Sequence, residues 1–86
     1  MKVWGMYKNV NGTLKPFGVD VAATSEIGMA LMQSEYKDLA IDDIKWERED
    51  FNNSEAYRSR FLYRPLRTVF PVELVVMCVD VLEAKS

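Results

Sequence analysis

Histidine is absent from the sequence. It is the side chain whose ordinary pKa lies near neutrality, so its absence removes the commonest general base, the commonest metal ligand and any Ser/His or Cys/His pair. Cysteine occurs once, at Cys78, which allows neither an internal disulfide nor a thiolate zinc site. Set among valines, that cysteine reads as a small buried hydrophobe. The four glycines stand apart at positions 5, 12, 18 and 28, so no glycine-rich phosphate loop can form. No apolar run approaches the ~20 residues of a membrane span, and the run Leu74–Val79 is one buried strand long. The opening "MKVWGMYKN" holds an early lysine but no signal core, which argues against export. With the lone cysteine, this points to a reducing, cytoplasmic setting.

What is present describes an ordinary folded domain. The 86 residues are 49% hydrophobic and 28% charged, close to the globular average and far from the composition of a disordered chain. A chain of this length forms one domain, residues 1–86, with a single core that needs no staple.

Residues 2–8, "KVWGMYK", alternate and carry aromatic and β-branched side chains, which predicts a strand. "NVNG" at 9–12 supplies a hairpin turn, and 13–21 is the returning strand, edge-placed or bent at Pro16. A helix follows from Thr24 or Ser25 to about residue 40. Ile27, Ala30, Leu31 and Ser34 lie on one of its faces, and Met29, Met32, Tyr36 and Leu39 on the next. So wide a stripe predicts packing on a sheet. "IDDIKWERE" at 41–49 alternates like a strand with one wet face, "DFNNSEA" is a loop, and 72–84 is the strongest strand of the chain. Residues 54–64 fit a strand, with Tyr57, Ser59, Phe61 and Tyr63 on one face, or a helix capped by Ser54. The cleaner alternation favours the strand, and Pro65 and Pro71 bracket the link to the last element. The order β-β-α-β-(β/α)-β makes an α+β fold, a small and mostly antiparallel sheet with one helix packed on one face.

No constellation supports catalysis, a metal or a cofactor. Asp42 and Asp43 are adjacent, so on a strand they point to opposite faces, and the serines have neither a base nor a nucleophile elbow. The acidic spacing does not match a calcium loop.

The charge distribution is more informative. From Glu35 to Asp50 seven acids face three bases, a net of −4, whereas Ala56 to Val72 holds four arginines and no acid. "YRSRFLYRPLR" interleaves Tyr57, Arg58, Arg60, Tyr63, Arg64 and Arg67. Guanidinium groups clamp carboxylates or phosphates, and the rings offer anchors or stacking platforms. Either these arginines pair with the chain's own acids or they face a partner. The expectation is a non-enzymatic protein that binds another protein or a second copy of itself, with no membrane contact. A nucleic-acid-binding module using the same residues is the alternative, against which the acidic pI of about 5.0 counts. Fluorescence anisotropy with labelled single-stranded and duplex oligonucleotides separates the two. The expected outcome is no binding at low salt, whereas salt-sensitive binding that vanishes on Arg58→Ala/Arg60→Ala would establish the alternative.

Overall fold

Asn11 and Gly12 join β1 (Lys2–Val10) to β2 (Thr13–Pro16) with φ of 52° and 87°. Positive φ at both positions is the type I′ geometry whose twist suits a tight hairpin, and Asn-Gly is the pair that adopts it most readily. The Asn9 side-chain oxygen accepts a bond from the Gly12 N–H at 2.9 Å. In this computed structural model, residues 1–18 and 21–80 are described. β2 ends at Pro16, short of the expected 13–21; the Pro16 nitrogen faces away from β1, as an edge strand allows, and the chain turns at Gly18 with φ of 81°. Phe17 donates to the Met6 carbonyl, and Trp4 and Ala22 then exchange two backbone bonds of 2.8 Å. The outer edge of β1 is thus covered twice. Positions 19 and 20 of the expected strand lie outside the described residues.

Helix α1 (Ser25–Ser34) is capped by Thr24, whose hydroxyl accepts from the Ile27 N–H, with Glu26 in the first turn. It is shorter than expected, since Ser34 turns its hydroxyl back onto the Leu31 carbonyl and separate turns carry the chain to Ala40. Of the two candidate faces, the structure buries the methionine side. Ser25, Gly28, Met32 and Tyr36 face inward, while Ile27 and Leu31 are about half exposed at 48% and 52%. Gly28 explains the choice. A Cβ there would sit 3.2 Å from Val76 Cγ1 and 3.4 Å from Ala22 Cβ, so the helix packs closely on the sheet here and any side chain larger than a methyl would have to displace Val76.

The expected strand at 41–49 shrinks to β3 (Glu47–Arg48). Ile44 and Trp46 still pack against the core, and the Trp46 indole N–H donates to the Gln33 side-chain oxygen at 3.2 Å. Their alternation records packing, not a ladder. Residues Ala56–Tyr63 form strand β4, which resolves the helix-or-strand alternative. β5 (Phe70–Asp80) begins before the expected 72 and includes Pro71. It tolerates the proline because pairing with β1 reaches only Lys8↔Leu74, leaving Pro71 a neighbour on one side alone. The remainder of the expected strand, 81–84, lies outside the described residues.

The five strands run in the order β2-β1-β5-β4-β3, all antiparallel, with α1 against one face. Val72, Leu74 and Val76 of β5 meet Met6, Met32, Tyr36 and Phe61 in one core. Tyr36 stands within an aromatic group, its ring centroid 5.5 Å from Phe61 and 5.0 Å from Tyr63. Ser59 is buried in this layer with its hydroxyl unpartnered among the described residues. Among the described residues no helix is long and apolar enough to cross a membrane.

Two substitutions test this packing in urea unfolding. Gly28→Leu should lower stability by about 1–3 kcal/mol, because it overpacks the helix–β5 contact. Ser59→Ala should be neutral or stabilising, since it removes a buried hydroxyl that makes no bond.

Candidate protein-binding surface

Alternation along β4 sends Tyr57, Ser59, Phe61 and Tyr63 to the helix side and Arg58, Arg60 and Leu62 to the uncovered side. Tyr57 packs with its ring centroid 5.9 Å from that of Trp4, and its hydroxyl donates to Glu55 at 2.6 Å. That bond, with burial, pushes the phenol pKa up. Tyr63 meets Tyr36 and Phe70 edge-on, at 5.0 and 5.6 Å. The two tyrosines and the two arginines of this strand therefore face opposite ways.

On the uncovered face, β5 presents Glu73 opposite Arg60 and Val75 opposite Arg58, with Tyr7 of β1 on the other side of Val75. Arg60 Nε bonds Glu73 Oε1 at 2.5 Å, and Asn9 Nδ2 bonds Glu73 Oε2 at 2.6 Å. Arg58 donates to Glu49 Oε1 at 2.6 Å and holds its Nε 3.7 Å from Glu73 Oε2. Val75 is only 2% exposed although no helix covers it. In the register it lies between Tyr7 of β1 and Arg58 of β4. Partial burial works to raise the Glu73 pKa, but the hydrogen bonds from Arg60 and Asn9 and the charges of Arg58 and Arg60 hold it below the usual carboxylate range. The bond to Glu73 raises the Arg60 pKa in turn. Arg58 thus pairs with the acidic stretch, through Glu49, and Arg60 pairs with the last strand.

Arg64 and Arg67 have a different setting. The Arg64 N–H donates to the Leu39 carbonyl and the Ile41 N–H to the Leu62 carbonyl, so residues 39–41 lie along the outer edge of β4 at its C-terminal end. The chain then bends through 65–67 into β5. Around this end stand Leu66 (87% exposed), Leu39 (46%), Ile41 (44%), Val69 (42%), Leu62 (40%) and Phe70 (38%). They are half of the twelve large apolar side chains left exposed among the described residues, so the exposed apolar surface is concentrated here. Arg64 and Arg67, with Asp38 and Asp42 next to Leu39 and Ile41, are exposed and form no ion pair among the described residues.

The six residues singled out in the sequence therefore divide three ways. Tyr57 and Tyr63 lie on the helix side, Arg58 and Arg60 on the uncovered face, and Arg64 and Arg67 at the sheet end. Sequence reasoning missed Glu73 and Asn9; the signal available was Glu73 as the single acid between Phe70 and Val79. A mixed-charge cleft of about 290 Å³ lies between Asp43, Lys45, Glu47, Glu49, Arg58 and Arg60. Among the described residues no group of three or more acids and cysteines is placed to hold a metal ion.

Because the folded-state pKa of Glu73 is depressed, its contribution to stability is complete above the ordinary glutamate range, about 4.3. It is lost as pH falls through the folded value. Unfolding followed from pH 7 to pH 3 should lose stability in that acid window, and Glu73→Gln should flatten this part of the profile. No family model, curated protein or solved structure matches the chain.

Proposed function

We propose that this is a small, non-enzymatic cytoplasmic protein that acts by binding another protein through the end of the sheet formed by residues 39–42 and 62–70. The observation that carries the reading is the concentration of exposed apolar side chains there, beside two arginines with no ion pair among the described residues. The Ala40–Tyr63 bridge sets Leu39 and Ile41 on the same side of the sheet end as Leu62, and together with Leu66 they leave on the order of 400 Å² uncovered, within the ~300–600 Å² patch that a monomer tolerates and often uses. Arginine beside apolar anchors is also the composition enriched at protein interfaces.

Nucleic acid fits this end less well. Arg48, Arg58 and Arg60 are paired with Asp50, Glu49 and Glu73, and the segment of Arg64 is bonded to the one that carries Asp38 and Asp42. A phosphate backbone would meet repulsion beside each contact.

A photo-crosslinking amino acid placed at Leu66, and separately at Ile27, tests the proposal in cells. Position 66 should yield a covalent protein adduct, and the exposed apolar control at position 27 should not. No adduct at position 66 would overturn the reading.

A further inference from the structure

We infer that the partner of this surface is a second copy of the same chain, docked across a two-fold axis so that Arg64 and Arg67 of one copy face Asp38 and Asp42 of the other. This rests on the reading of the sheet end as a protein-binding surface and names its occupant. A two-fold interface sets a patch against itself, so every feature must find its complement elsewhere in the same patch. The sheet end meets that condition. One strip carries Asp38, Leu39, Ile41 and Asp42, and the other carries Leu62, Arg64, Leu66 and Arg67. Two backbone hydrogen bonds, Ile41 to Leu62 and Arg64 to Leu39, hold the strips side by side. The Ala40–Tyr63 bridge puts Leu39, Ile41, Leu62 and Arg64 on one side of this end, so a two-fold contact sets apolar residues on apolar residues there, with the charges at its rim.

The division of charges within the fold supports the same arrangement. Arg58 and Arg60 have acids of their own at 2.6 and 2.5 Å. Arg64, Arg67, Asp38 and Asp42 have none among the described residues, and they belong to the two segments that the 41-to-62 and 64-to-39 backbone bonds join, in equal numbers of each sign. A foreign acidic partner would satisfy the arginines but meet repulsion from the two aspartates, whereas a second copy satisfies both. The area is adequate. Leu39, Ile41, Leu62 and Leu66 of two facing copies cover about 800 Å² of apolar surface, and the charged rims bring the contact to the ~1,000 Å² at which specific interfaces separate from incidental contacts. Such an interface lies at the small end of the range, so the dimer should be a micromolar one, with orientation set by the charges and affinity by the leucines.

Sedimentation of the full chain between about 1 and 500 µM tests the inference. The wild type should shift with concentration from its 9.9 kDa toward twice that mass. Leu66→Asp should weaken association at least tenfold. Arg64→Glu/Arg67→Glu should be monomeric, as should Asp38→Lys/Asp42→Lys. An equimolar mixture of the two charge variants should restore the dimer, because each then presents the sign that the other requires. All these positions are exposed, and circular dichroism melts check that the variants remain folded. A wild type that stays monomeric throughout, a charge variant that dimerises like the wild type, or a mixture that fails to associate would each overturn the inference. The crosslink at Leu66 keeps the two proposals apart. An adduct of twice the mass supports both, an adduct of another mass leaves the surface and removes the second copy, and no adduct removes the surface itself.

Discussion

Everything in this fold leans on β5. It is the central strand, paired with β1 over seven residues and with β4 over eight, and Leu74 and Val76 have no exposed surface at all. Each such side chain contributes about 1.5–3 kcal/mol by burial. β2 and β3 are short and reach the sheet only through β1 and β4. The helix touches down on Val76. Remove β5 and the two hairpin-like halves lose the strand that joins them into one sheet.

A single helix packs on one side of the five-stranded sheet, and the other side carries a row of paired polar side chains. Tyr7 and Arg58 stand on either side of Val75, and Glu73 is held by Arg60 and Asn9. The charged row on this face is thereby part of the fold. Burying a carboxylate to 17% exposure is tolerable because cations and an amide donor surround it. The same arginines that look available in the sequence are fixed in place by acids of the same molecule.

The sheet end lacks such pairing among the described residues. There β4 gives way to the turn into β5, the segment after α1 arrives along the strand edge, and neither has a further layer to pack against. Apolar residues from both segments consequently remain exposed next to charges of both signs. The contrast with the uncovered face is one of completeness. On the face Arg58, Arg60 and Glu73 find charged partners within the chain, although the Arg58 Nε makes no hydrogen bond among the described residues, and at the end Arg64, Arg67, Asp38 and Asp42 form no ion pair among the described residues.

Local backbone chemistry made several features legible in advance. Asn11-Gly12 adopts positive φ at little cost, Thr24 offers an oxygen to an open helix end, and the alternation of Tyr57 to Tyr63 and the apolar run after Val72 require strands. The α+β class follows from those elements. What the sequence could not decide depends on distance through space. Which helix face is buried depends on how closely Gly28 approaches Val76, and "IDDIKWERE" keeps only two ladder residues because Trp46 turns instead to Gln33. Which arginines remain without ion pairs depends on Glu49 and Glu73, nine and thirteen residues away from the arginines they bind. The sequence by itself determined the turn, the helix start and the strand alternation, because each is set by neighbours along the chain. Only the tertiary structure decided which charges are satisfied and which apolar side chains stay uncovered, because both depend on partners that folding brings together.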